Sequence, residues 1–148
     1  MKINFNIKEI PEITEKILEY IFKTKQSGAT VVAFSGDLGA GKTTLTKEIA
    51  KNFMIKERIT SPTFVLMKNY DISVDSKYYL RFKKLIHIDA YRLEKEEELI
   101  NLGWNEIIKD KNNIIILEWP EKVKKCLNND TFLIKLKHID EETRLLEF

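Results

Sequence analysis

Eight consecutive residues, Gly36-Asp37-Leu38-Gly39-Ala40-Gly41-Lys42-Thr43, constrain this chain more than any other feature. They fit the spacing G-x-x-x-x-G-K-[ST], and both flanks suit it. Before them, Thr30 to Phe34 is a β-favouring apolar run fit for a strand buried on both faces. After them, Leu45, Ile49 and Phe53 keep helical spacing, which predicts a helix from Lys42 to Phe53. Glycines let the backbone curl until successive N–H groups converge on one anion, a nest that side chains would block. The helix N-terminus adds about half an elementary positive charge. Such a loop grips nucleotide phosphates, with Lys42 reaching the β- and γ-phosphates and the Thr43 hydroxyl completing a Mg²⁺ shell. Asp37, Leu38, Gly39, Ala40, Gly41, Lys42, Thr43 and Thr44 are the expected nucleotide contacts. A glycine turn that merely connects strand to helix is the alternative. Three glycines followed by Lys-Thr at this offset favour the phosphate loop.

The rest of the chain reads as alternating elements. Lys2 to Ile7 alternates like a short strand, and Pro11 opens a helix with Ile13, Ile17, Leu18 and Ile21 on one face. Ser27-Gly28 is its expected stop. Phe64 to Tyr70 and Tyr79 to Asp89 suggest an antiparallel hairpin around a polar loop at Ser73 to Lys77. Glu94 to Leu102 reads as a helix ending at Gly103. Ile114 to Leu117 reads as a buried strand, Glu121 to Leu127 as a short helix, and Thr131 to Leu136 with Arg144 to Phe148 as a terminal antiparallel pair. Together these predict one α/β domain over residues 1–148. Its form is a three-layer, P-loop NTPase-like sandwich, with parallel strands around the phosphate loop and antiparallel strands at one side.

Charge narrows the function. The 25 basic and 23 acidic residues leave a net charge of only +2, which gives no strong pull toward bulk nucleic acid or an anionic membrane. Arg58, Arg81, Arg92 and Arg144 are the only arginines, too scattered for a self-sufficient nucleic-acid reader. Cys126 stands alone, so no internal disulfide or zinc cluster is expected. No apolar run suits a signal peptide or a membrane span, and the cytoplasm is the expected compartment.

No Asn-Lys-x-Asp stretch for guanine occurs, and no arginine-bearing lid of a small-molecule kinase, so ATP is the expected nucleotide. Phosphoryl transfer then needs an acid near Mg²⁺ and a group that orients water. Two acids end apolar strands: Asp89 after Leu85-Ile86-His87-Ile88, and Glu118 after Ile114-Ile115-Ile116-Leu117. In open α/β sheets such strand ends line the ligand crevice. Among the neighbours, His87 reads as a packed, hydrogen-bonded histidine and Trp104, near Gly103, as a core or staple aromatic. Arg92 reads as a structural ion pair or a cis arginine finger.

Ser61-Pro62-Thr63-Phe64, His87-Ile88-Asp89-Ala90-Tyr91-Arg92-Leu93 and Glu118-Trp119-Pro120-Glu121, following the glycine loop in that order, resemble the TsaE (YjeE) family. These are bacterial ATPases of tRNA threonylcarbamoyladenosine biosynthesis. The resemblance covers roughly Gly36 to Glu121. It implies that Asp89 is the Mg²⁺-linked acid, acting through water or directly, that Thr63 senses the γ-phosphate, and that Glu118 orients water or acts as general base. Lys42 would stabilise the transferring phosphate, and Trp119 would pack at the nucleotide edge. It also implies an ATPase that is weak alone and coupled to the subunits TsaD and TsaB, meeting tRNA only through that complex. A small-molecule kinase and a nucleotide-gated binding module are the rival functions. Residues 70–80 look long and polar for the family's hairpin, and the stretch after Asn128 carries little family signal and no assigned role.

Overall fold

The computed structural model describes all 148 residues. Seven strands form one sheet: β1 (Lys2–Asn6), β2 (Thr30–Ser35), β3 (Met67–Asp71), β4 (Lys84–Asp89), β5 (Asn113–Glu118), β6 (Phe132–His138) and β7 (Thr143–Glu147). Their spatial order is β1-β7-β6-β2-β5-β4-β3. The four central strands, β6, β2, β5 and β4, run parallel. Antiparallel pairs close both edges, where the sequence led us to expect them at one side: β3 beside β4, and β1 with β7 beside β6. The apolar runs of β2 and β5 explain their central places, since a parallel strand covered on both faces needs apolar residues at every position.

Side-chain alternation divides the core into two layers. Val32, Phe34, Leu85, Ile114 and Ile116 face α1 (Ile10–Lys23) and α2 (Lys42–Asn52). Val31, Ile86, Ile88, Ile115 and Leu117 face the opposite layer. There Leu99 of α3 (Glu96–Asn101), Trp104 of α4 (Trp104–Ile107) and Val123 cover the sheet. Each fully buried side chain of this size contributes roughly 1.5–3 kcal/mol of transfer free energy. Trp104 is a core aromatic, as its place after Gly103 suggested.

Several boundaries differ from the sequence reading for identifiable reasons. α1 stops at Lys23, short of Ser27-Gly28, because the Arg81 guanidinium donates to the carbonyls of Ile21, Phe22 and Thr24 and satisfies the helix end there. Phe64 and Val65 lie in a turn, held by the Leu66 N–H on Pro62 O, and β3 begins only at Met67. β4 starts at Lys84, since residues 78–82 wind into turns whose N–H groups bond back to Ser76 and Tyr78. Pro120 to Cys126 is a 3₁₀ segment kinked at Val123. No helix is long and apolar enough to cross a membrane.

Candidate nucleotide-binding site

The phosphate loop links β2 to α2 at the carboxyl ends of the parallel strands. Two glycines are required by its geometry. Gly41 caps α2 at φ +107°, in the left-handed region. Gly36, at φ +147°, passes so close to β6 that a Cβ would stand 2.2 Å from the Leu136 carbonyl oxygen. The Lys42 ammonium donates to Gly36 O at 2.6 Å and Asp37 O at 2.8 Å, and lies 4.3 Å from the centre of the Trp119 ring. Burial pushes the Lys42 pKa below its ordinary value, opposed by the negative charges of Glu118, Asp89, Glu121 and Asp37.

An open cleft of about 300 Å³ lies over the loop. Leu38, Gly39, Gly41, Lys42, Thr43, Thr44, Thr63, Asp89, Glu118 and Trp119 line it, together with Ser61 and Tyr91, which the sequence reading did not assign. Two expected contacts are absent from this lining. Ala40 is fully buried behind the loop, and the backbone carbonyl of Asp37 serves Lys42.

The two strand-end acids have distinct partners. Glu118, not Asp89, meets Thr43: the threonine hydroxyl donates to the two carboxylate oxygens at 3.1 and 3.2 Å. Strand order is the reason. β5, which ends at Glu118, lies directly beside β2 and its loop, whereas β4 and Asp89 lie one strand further away. Asp89 instead holds the Ser61–Thr63 loop, accepting from Thr63 Oγ1 at 2.8 Å, Ser61 Oγ at 3.1 Å and the Tyr91 N–H at 2.9 Å. Both acids are buried. His87 is buried too, with Nε2 2.8 Å from Glu118 Oε1, so the packed, hydrogen-bonded reading of this residue holds. Arg92 makes no ion pair with a carboxylate; its guanidinium stacks 4.3 Å from the centre of the exposed Phe64 ring. Trp119 takes a left-handed backbone, φ +60°, which turns the chain out of β5 and sets its ring 4.9 Å from that of Tyr91.

A second cavity of about 160 Å³ continues behind the loop, sharing Gly39, Gly41 and Thr44 with the first. Phe5, Ile7, Ile10 and Leu136 make it largely apolar, and Arg144 adds one cation. These residues come from both chain ends, and local motif spacing could not have found them.

Thr43 and Glu118 suit a hard divalent ion. They are oxygen donors side by side at the mouth of the phosphate loop, and Mg²⁺ is bound by one or two protein oxygens with phosphates and waters completing its octahedron. No group of three metal-binding side chains exists elsewhere in the chain, so such an ion would depend on the phosphates.

Comparison with known proteins agrees with this architecture. Residues 7–146 match the family described as "Threonylcarbamoyl adenosine biosynthesis protein TsaE". A protein of Rickettsia felis named "tRNA threonylcarbamoyladenosine biosynthesis protein TsaE" is 35% identical, covering 90% of this chain and 72% of its own. Proteins of the same name from Bacillus subtilis and Aquifex aeolicus are 32% and 33% identical, each over 93% of this chain and over 80% and 90% of their own lengths. The crystal structure of Bacillus subtilis YdiB superposes with a TM-score of 0.68 at 27% identity, covering 99% of this chain and 82% of that one.

Proposed function

The chain belongs to the TsaE family, and on that footing we propose that it acts in tRNA threonylcarbamoyladenosine biosynthesis as the component that binds and hydrolyses Mg²⁺–ATP. It couples nucleotide state to the partner subunits TsaD and TsaB and meets tRNA only through that complex. The observation that carries this reading is the meeting of Lys42, Thr43 and Glu118 at one mouth, where a loop of backbone amides turns into a helix. An ammonium, a hydroxyl and a buried carboxylate in that arrangement suit a polyphosphate with its divalent ion.

The residues then divide the work. Lys42 would exchange two backbone carbonyls for the β- and γ-phosphate oxygens, and the loop amides of Leu38, Gly39 and Gly41 to Thr44, which line the cleft, would hold the rest of the phosphates. Thr43 and Glu118 would hold Mg²⁺, which when bound would supply charge neutralisation at the transferring group. Asp89, with the Thr63 hydroxyl on it, is the acid left to orient a water, and Thr63 is placed to sense whether a γ-phosphate is present. The apolar cavity bounded by Phe5, Ile7, Ile10 and Leu136 suits the adenine base, while Trp119 packs over Lys42 at the nucleotide's edge.

The test is to follow labelled ATP with the purified protein alone and with TsaD and TsaB. Slow release of free phosphate, accelerated by the two subunits, is the expected result. Equal turnover with and without them would refute the coupling. Label appearing on a metabolite instead of in free phosphate would make the chain a kinase.

A further inference from the structure

His87 occupies a position where an apolar residue would ordinarily pack. It lies in the middle of β4, in register with Ile116 of β5 and Lys68 of β3, and shares its face of the strand with Leu85. Its side chain is wholly inaccessible to water. An imidazole placed there loses its hydration and must regain it from protein partners. It has one partner only. Nε2 lies 2.8 Å from Glu118 Oε1, and since an ionised carboxylate only accepts, Nε2 is assigned as the donor; Nδ1 is buried with no hydrogen-bond partner in the protein.

The carboxylate on the other side has the complementary need. The terminal torsion of a glutamate is broad and roughly two-fold, so packing alone does not fix its plane. Glu118 Oε1 takes the short bond from His87, while the Thr43 hydroxyl is shared between both oxygens at 3.1 and 3.2 Å. The histidine is thus the stronger of the two anchors, and it pulls from behind, on the side away from the cleft.

We propose that His87 is a positioning residue: its buried Nε2–H fixes the plane of the Glu118 carboxylate so that the remaining lone pairs face Thr43 and the divalent ion of a bound nucleotide. This rests on the reading of Glu118 as the metal-side acid and deepens it. Groups that hydrogen-bond a metal-binding carboxylate from outside typically change metal affinity or activity about 10–100-fold when removed. Nδ1 has no partner in the protein, so no side chain or backbone group of this chain stands beyond the ring to pass a proton on.

The test uses two variants and two measurements. His87→Leu fills the space without a donor, and His87→Gln restores an N–H near the place of Nε2. Calorimetry with a non-hydrolysable ATP analogue, in Mg²⁺ and in excess chelator, isolates the gain in affinity due to the metal. His87→Leu should lose about 10–100-fold of that gain with its metal-free affinity intact, and His87→Gln should recover most of it. Independently, the Nε2–H resonance of ¹⁵N-labelled wild-type protein should be protected and downfield, and should shift or vanish in Glu118→Ala. A full metal gain in His87→Leu, or a loss that His87→Gln does not recover, overturns the positioning role. An Nε2–H resonance indifferent to Glu118→Ala overturns it without recourse to any nucleotide. Absence of a metal gain in the wild type would instead strike the metal reading itself, and the positioning role would fall with it.

Discussion

Replacing Thr43 with valine keeps a β-branched shape in the first turn of α2 and deletes one hydroxyl. Two effects follow, of different size. In the free protein the hydroxyl donates to Glu118 at 3.1 and 3.2 Å. Full-strength hydroxyl-to-carboxylate bonds are about 2.5–2.7 Å, so this divided contact is weak, and Glu118 keeps His87 when it is lost. The stability change should therefore be no more than about 1 kcal/mol. For a chain of this length that lowers Tm by only about 2–4 °C. In the nucleotide complex proposed above the same hydroxyl would be a metal ligand. A contact to a charged group is worth about 1.5–3 kcal/mol, so the Mg²⁺-dependent part of ATP affinity should fall about 10–100-fold. The phosphate grip of Lys42 and the loop amides is untouched, and affinity in excess chelator should stay as in the wild type. Calorimetry with and without Mg²⁺, beside a thermal melt, checks both effects. Equal losses in the two conditions would refute the metal-ligand reasoning. A melt lowered by 10 °C or more would show that the Thr43–Glu118 contact had been judged too weak.

Other consequences follow from the same geometry. Gly36→Ala puts a Cβ 2.2 Å from Leu136 O at a backbone angle that side chains avoid, so chemical denaturation should register a loss above about 2 kcal/mol; a neutral result would mean that β6 yields easily. Arg81→Met uncovers the carbonyls at the end of α1 and should cost about 2 kcal/mol with an unchanged denaturant slope; an unchanged midpoint would contradict the cap. Burial lowers the Lys42 pKa and phosphate charge raises it again, so between those two values binding takes up a proton and affinity falls as pH rises. Calorimetry at alkaline pH in buffers of different ionisation enthalpy should reveal that uptake, and buffer-independent heats would contradict it. Burial, with Glu96 and Glu97 nearby, pushes the Cys126 thiol above its ordinary pKa, so alkylation at neutral pH should be slow in the native protein and fast once unfolded; rapid native labelling would contradict this.

The glycine loop was legible because every requirement it meets is local: a buried strand, three glycines at fixed offsets, Lys42, Thr43 and a helix. Asp89 and Glu118 were legible only as a pair. Each ends an apolar run, and nothing in either run says which strand lies beside β2. That choice is made by sheet order, in which β5 takes the inner place and β4 the outer. A single step in strand order thus decides which acid touches Thr43 and which holds the Ser61–Thr63 loop. The same limit hid the second cavity. Phe5 and Arg144 lie at opposite ends of the chain, and only the antiparallel addition of β1 and β7 at the edge of the sheet brings them together. Phe64 and Val65 misled in the other direction, since their β-favouring side chains sit in a turn that Pro62 O closes.

This division between local and non-local information also bears on how the site can work. The phosphate grip depends on one short segment, and its geometry is set wherever β2 and α2 pack. The acids depend on three adjacent strands, and Asp89 is bonded to a loop that carries an almost fully exposed Phe64. A partner that engages Phe64 or the guanidinium stacked on it would therefore pull on Thr63, and through Thr63 on Asp89, without touching the phosphate loop. Binding of nucleotide and control of its hydrolysis are then separable. Phe64→Ala should leave affinity for Mg²⁺–ATP within about twofold, because Phe64 does not line the cleft, while abolishing most of the acceleration proposed for TsaD and TsaB. Loss of affinity in step with loss of acceleration would show that grip and control are a single device.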